Sequence, residues 1–477
     1  VLGLVGLRWT AQQNALAFFQ VLTEALGISG GISRYWAIVV TMDLTPNDRN
    51  SLPAADAYLS SLIAFLDSSS SPYHGIRCSI ELLEAAGFVE RTEKSMWEEA
   101  AGRWYVQRSG SLIAWAHSGQ SPDTGFRLVG AHTDSPNLRL KPQQGLTSGQ
   151  HAQVAVEVYG GILANTWLDR DLGVSGRLVL SDGSNVLVRI NEPVCRISQL
   201  AIHLDPELPS KGLRLNPQQH LTPSWALGDS ASVVEIVAES VGVAAPDILA
   251  HDLMLHDVVG ATVGGANGEF LNSARIDNLV SCHAGIIALT NGPPEAADHI
   301  PILAMFDHEE VGSVSSAGAA SNFLPSVLGR IISSAGGPDS GLGSQTAAIA
   351  LAKSACISAD GAHATHPNYA DRHDPQHHID LNGGPVLKHN ANKRYATDAT
   401  SAALFRTACD AAGVPMQEFV SRNDSPCGST IGPTTAAKLG ISTVDAGVAQ
   451  LSMHSIREMC GTQDPHAFAR ALTKFYG

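Results

Sequence analysis

Residues Ile302–Ser313 run Ile-Leu-Ala-Met-Phe-Asp-His-Glu-Glu-Val-Gly-Ser, and no other stretch constrains the fold as tightly. An apolar segment of strand character stops at four consecutive ionisable residues, Asp307, His308, Glu309 and Glu310. Adjacent carboxylates at the end of a buried strand repel one another and lose hydration, so the arrangement calls for a cation nearby. In open α/β sheets, ligands bind at the carboxyl ends of the strands. The stretch therefore predicts an α/β sheet with a functional edge. One glutamate would bind metal while its neighbour serves as general base. The plainer alternative is a solvated turn ahead of a helix, whose N-terminus welcomes acidic residues.

The flanking chain supplies the rest of such a sheet. Phe126–Ala131 is an apolar strand delivering His132-Thr-Asp134-Ser-Pro136, and Ala355–Ala359 is another that ends at Asp360. Arg103–Val106 and Ser111–Ala116, joined by Gln107-Arg-Ser-Gly110, predict a β-hairpin. Tyr58, Leu59, Leu62, Ile63 and Leu66 recur at helical spacing, and Ser68–Ser71 with Pro72 stop that helix. Ser79–Gly87 predicts a second short helix, Leu279–Thr290 a helix closed by Asn291-Gly292, and Pro465–Phe475 a terminal one. Gly384–Lys388 and Ile441–Asp445 read as further strands, the latter leading to Met453-His454-Ser455, and Ser333–Gly343 as a surface loop. Over residues 141–256 the pattern changes to short strands and turns with few helical periods. The fold class is thus α/β, with a mixed-sheet domain from residues 53–140 and 257–477 interrupted by a β-rich insert over 141–256.

Composition excludes several function classes. The net charge of −15 argues against nucleic acid and anionic membrane surfaces as partners. No uninterrupted run of about 18 apolar residues, the length a spanning helix needs, is present. The 7 cysteines are odd in number and form no CxxC pair, so neither a zinc ribbon nor a disulfide framework is supported. They suit a reducing compartment, the cytoplasm ahead of a vacuole or organelle. Residues 1–52 stand apart as an extension. Residues 1–41 carry only Arg8, Glu24 and Arg34 as charges and lack the basic start of a secretory signal. They read as a truncated targeting segment, an extra helix, or upstream sequence wrongly joined to the gene.

His132 with Asp134, Asp277, Glu309 with Glu310, Asp360 and His454 carry the chemistry. Singly, each has a modest reading: Asp277 as a helix cap, a histidine as a satisfied core or surface residue. Together they bring two imidazoles and several carboxylates to one sheet edge. That nitrogen and oxygen set suits zinc, manganese or cobalt. The motifs Ala131-His-Thr-Asp-Ser-Pro136, Arg275-Ile-Asp-Asn278, Asp307-His-Glu-Glu310 and Asp360-Gly-Ala-His-Ala-Thr-His-Pro-Asn-Tyr369 resemble the aspartyl aminopeptidase family of metallopeptidases. Asn423-Asp-Ser-Pro-Cys-Gly-Ser-Thr-Ile-Gly-Pro433 and Met453-His-Ser-Ile-Arg-Glu458 share the resemblance, which extends from about Pro53 to the C-terminus.

The resemblance implies a zinc-peptidase-like catalytic domain with an inserted dimerisation domain, and an enzyme that removes N-terminal residues from peptides, Asp and Glu by preference. It implies two divalent ions, zinc first and manganese or cobalt otherwise. His132 and Asp360 would hold one, Glu310 and His454 the other, with Asp277 bridging. Such a pair would polarise the scissile carbonyl and acidify a shared water. Glu309 would be the general base, and Asp134 the acceptor that orients His132. Lys388 would pair an acidic side chain, Tyr395 would steady the tetrahedral intermediate, and His363 would touch substrate. His203, in the insert, would reach a neighbouring active site within dimers that pack into a tetrahedral dodecamer. Two other readings stand beside this one: a leucine-type or broad aminopeptidase on the same scaffold, and a catalytically silent assembly or cargo protein.

Overall fold

All seven residues of the strand Ile300–Phe306 are buried, as a strand covered on both faces requires. The computed structural model describes residues 52–228, 232–292, 298–336 and 341–477. The expectations for residues 1–51, and those for 337–340 within the expected loop, lie outside the described residues. Ile300–Phe306 belongs to a nine-stranded mixed sheet. Its spatial order is Val89–Glu90, Gly102–Arg108, Ser111–His117, Ile300–Phe306, Phe126–His132, Ala355–Ala359, Ser442–Gly447, Val386–His389, Gln417–Val420. The expected hairpin is the antiparallel pair Gly102–Arg108 and Ser111–His117.

The strands Ile300–Phe306, Phe126–His132, Ala355–Ala359 and Ser442–Gly447 are adjacent and parallel. Phe306 lies opposite His132, and Ser358 lies opposite Gly130. The chain therefore leaves Phe306, His132 and Ala359 at a common edge. Helices cover the sheet. Ile276–Thr290 is buried from Ile276 to Leu289, while Phe323 and Leu328 of the helix Phe323–Ser334 join Trp115, Phe126 and Ile302 in one core. The terminal helix Asp464–Tyr476 is tied to the central strand by Tyr476, whose hydroxyl donates to the Ile302 carbonyl at 2.9 Å.

Local sequence explains where the helices begin. The first ends at Ser68, and the second starts at Pro72, earlier than Ser79, because Ser71 caps it and proline suits the first turn. Ala399–Ala412 is opened by a reciprocal Asp398–Ser401 capping box and closed by Gly413 at φ 61°.

Residues 137–257 build a six-stranded antiparallel sheet in the order Asn185–Cys195, Leu172–Leu180, Ile248–Asp257, Asn137–Ser148, His151–Tyr159, Ser224–Leu227. Leu138, Val154, Trp167, Val174 and Leu253 form its core. The Leu200–Leu204 segment is not a strand. Ile202–Leu204 is a single 3-10 turn whose side chains are exposed.

A five-stranded sheet was not anticipated: Thr262–Gly264, Phe270–Ser273, Glu458–Gly461, Ala449–Leu451 and Ala362–His363. Its strands are short and its pairings join distant parts of the chain, so no local periodicity announces it. Among the described residues, no helix is long and apolar enough to cross a membrane.

Buried imidazoles give this fold an acid liability. His283 Nε2 lies 3.0 Å from Ser61 Oγ and its ring meets Tyr58 edge-on at 4.8 Å; burial pushes it down to about 3. Burial, aided by the charges of Arg189 and Arg275, pushes His74 down to about 4. A histidine with a depressed folded pKa takes up its proton on unfolding. Stability therefore falls as the pH drops from about 6.5 towards these values, by up to about 1.4 kcal/mol per pH unit for each group. Denaturant unfolding followed between pH 6.5 and 4 should show this slope, and His283→Gln should make it shallower. An unchanged slope in that variant would contradict the assignment.

Candidate active site

Three neighbouring parallel strands deliver ionisable residues to one edge, and the small sheet meets them there. His132 is the last residue of its strand and is 1% exposed. Its Nδ1 lies 3.0 Å from the backbone carbonyl of Asp134. A carbonyl only accepts, so Nδ1 carries a proton there and Nε2 faces Asp277 Oδ1 at 3.3 Å. His454 repeats the arrangement. Its Nδ1 donates to the Gly161 carbonyl at 3.0 Å, while Nε2 lies 3.3 Å from Glu310 Oε2 and 3.6 Å from Asp277 Oδ2.

Each Nε2 faces carboxylate oxygens closely enough to need a proton or a cation between them. Asp277 Oδ1 and Glu310 Oε1 are buried without a hydrogen-bond partner among the described residues. His132, Asp277 and Asp360 bring one ligand atom each within 4.8 Å of one another, and so do Asp277, Glu310 and His454. The two sets share Asp277. A third set, His132, Glu309 and Glu310, overlaps them. The donor atoms and their orphaned oxygens fit zinc.

Electrostatics point the same way. Burial raises Glu309 most; His132 opposes, Asp360, Asp277 and Asp134 add to the rise, and the carboxyl is pushed up to about 8. Burial, then the charge of Asp277, holds Glu310 well above the ordinary carboxylate range. Burial likewise raises Asp360. The cluster is short of the positive charge that a divalent ion supplies.

Glu309 and Glu310 do not continue the strand as extended residues. His308 turns the chain at φ 68°, and a 3-10 turn Glu309–Val311 closes on Gly312 at φ 95°. Asp134 holds it in place. The amides of Glu309 and Glu310 donate to its carboxylate at 3.0 and 3.2 Å, and the Tyr159 hydroxyl donates at 2.6 Å. That carboxylate is 3.6 Å from His132 Nδ1, farther than the Asp134 carbonyl, so the backbone is the nearer acceptor for the imidazole.

The cluster opens into a cavity of about 500 Å³, also lined by His363, Lys388, Tyr395 and residues 428–430. Lys388 is 1% exposed, and so is no surface cation. Its Nζ donates to the Gly361 carbonyl at 3.1 Å, lies 4.0 Å from Asp360 Oδ1, and sits 5.0 Å from the centre of the Tyr395 ring. Tyr395 is buried in the wall and His363 is exposed at the rim. His203 is not brought to the site: it is exposed on its turn and does not line the cavity.

Sequence reasoning passed over Glu458. It is 2% exposed, and its two oxygens accept from the amides of His454 at 2.8 Å and Asp277 at 2.9 Å. Only its place at the end of the Met453–Glu458 motif hinted at a role. Asp445 was also passed over; it accepts from the Ala396 amide at 2.6 Å and from the Thr430 hydroxyl, bracing the cavity wall.

Residues 65–476 match the family model described as Aminopeptidase I zinc metalloprotease (M18). A Streptomyces coelicolor protein described as a probable M18 family aminopeptidase 2 is 49% identical over 420 residues, covering 87% of this chain and 96% of that protein. Among solved structures, Ape4 in the cryo-EM complex of Ape4 and Nbr1 superposes with a TM-score of 0.84 at 37% identity, covering 88% of this chain and 86% of that one. The S. cerevisiae mApe1 dodecamer gives 0.76 at 29% identity, covering 88% and 96%.

Proposed function

Since the chain belongs to the M18 family of zinc metalloproteases and is a metallo-aminopeptidase, we propose that it holds two divalent ions and prefers peptides beginning with Asp or Glu. The observation that carries the two-ion reading is the pair of overlapping donor sets meeting at Asp277. His132 and Asp360 would hold one ion, Glu310 and His454 the other, and Asp277 both. Zinc held there supplies Lewis acidity towards the scissile carbonyl and acidifies water.

The remaining work falls to this chain's own groups. Glu309 lines the cavity without being needed by either of the two sets that share Asp277. As general base it takes a proton from the attacking water and passes it to the leaving amine. The Tyr395 hydroxyl steadies the tetrahedral oxyanion, and His363 at the rim contacts the peptide. Lys388 supports the acidic preference, because a buried ammonium on the cavity wall gains a further partner from an incoming carboxylate and none from a leucine side chain. A silent cargo role has less support, since every donor and a base are present.

The insert over residues 141–256 is proposed as the dimerisation domain of a homo-oligomer. Leu200, Ile202 and Leu204 are 56%, 52% and 71% exposed, an apolar surface around His203 that a partner would cover. The dodecameric state of the S. cerevisiae relative supports the same reading. His203 would then complete a neighbouring site in trans. The free cysteines support a reducing compartment, the cytoplasm foremost.

Glu309→Gln should keep both zinc ions and lose about 10²–10⁴-fold in kcat, and near wild-type turnover would sink the general-base role. On chromogenic substrates capped with Asp, Glu or Leu, Lys388→Leu should impair the acidic pair far more than the leucine substrate. Equal losses would make the lysine structural, and a wild type that favours leucine would establish the leucine-type reading. Mixing His203→Ala with Glu309→Gln subunits should restore activity to nearly inactive parents. Verified mixing without recovery would refute the shared site.

A further inference from the structure

We infer that Glu458 is a positioning residue for the metal centre: a single buried carboxylate that sets the backbone of two ligand-bearing segments. The inference rests on the reading that Asp277, Glu310 and His454 together hold an ion. Glu458 opens its strand directly opposite Ser273, four residues ahead of Asp277. This register places its side chain between two loops, and its two oxygens divide between them. One takes the amide of His454, four residues back along the chain, and the other the amide of Asp277, 181 residues away.

Both segments need holding. Arg275, Ser452 and His454 have φ of 60°, 58° and 67°, a left-handed conformation that costs free energy in non-glycine residues. Such backbone persists where the surroundings over-determine it. A carboxyl group at 2% exposure likewise requires its hydrogen bonds, and bonds to amides satisfy both needs at once.

The consequence is geometric. The Nε2 of His454, on a turn, lies 3.6 Å from Asp277 Oδ2, at the start of the helix Ile276–Thr290, and Glu458 is bonded to the backbone of both. Loosening either amide would spread these donors apart. Glutamine has one acceptor oxygen, so it would meet the other amide donor against donor. Asp134 performs a parallel service for the turn of Glu309 and Glu310.

The test uses the full chain stripped with a chelator and titrated with zinc. Wild type should take up two ions per chain, and Glu310→Gln should lose one, which examines the ligand reading by itself. Glu458→Gln should bind the ion at the Glu310 and His454 position about 10–100-fold more weakly. The zinc concentration for half-maximal activity should rise in step, with KM at saturating zinc little changed. Wild-type zinc affinity in Glu458→Gln, whatever its melting temperature, would reduce the residue to a structural one. If Glu310→Gln kept both ions, the ligand reading would fail and this inference with it. Should Glu458→Gln not fold, amide hydrogen exchange of the wild type decides. The amides of Asp277 and His454 should be protected in the zinc-free protein, and exchange as fast as in exposed loops would overturn the clamp.

Discussion

Concentrated negative charge at one buried sheet edge is the constraint on which the rest of this structure depends. Asp134, Asp277 and Asp360 are each at most 7% exposed, and Glu309 and Glu310 lie beside them. Water cannot solvate these groups, so each needs another source of positive potential. Two sources are available in such a place, backbone amides and metal ions, and the carboxylates divide between them. Asp134 and Glu458 are satisfied by amides, while Asp277 and Glu310 each keep one buried oxygen without a hydrogen bond and face imidazole nitrogens with their carboxylates.

This division explains how a wide cavity can present a well-defined donor set. The central strands supply rigid anchors because they are buried on both faces and hydrogen-bonded to neighbours. The loops that leave them would otherwise be free to vary. The amide-binding carboxylates remove that freedom, and the imidazole Nδ1 bonds to the carbonyls of Asp134 and Gly161 fix the ring orientations. Lys388 and Tyr395 belong to a different part of the same cavity wall, on and beside an edge-ward strand paired with Ser442–Gly447. The buried ammonium and the donor cluster are thus carried by separate elements of the fold.

How far the site was legible depended on the kind of pattern involved. The strands Phe126–His132, Ala355–Ala359 and Ile300–Phe306 were readable because continuous apolar runs of strand length stop at charged residues. Their parallel adjacency then brings His132, Asp360 and the two glutamates together. The start of the second helix at Pro72 was missed because the cap Ser71 also looked like part of a stop signal. The Leu200–Leu204 run contributes to no core, since its large apolar side chains face solvent in the single chain.

By itself the sequence determined the α/β class, the strand ends that carry ionisable residues, and, through its ordered motifs, the family. These follow from local physics: periodicity, caps, and the cost of stranding charge at the end of an apolar run. Only the tertiary structure decided that Asp134 and Glu458 serve the backbone while Asp277 and Glu310 each keep a buried oxygen without a hydrogen bond. It also decided that Lys388 is buried beside Asp360, and that Glu309 and Glu310 sit on a turn. The part played by Glu458 depends on a sheet whose strands come from residues 262–273, 362–363 and 449–461. No local pattern can encode pairings between segments so far apart, because each exists only through the hydrogen bonds it makes with the others.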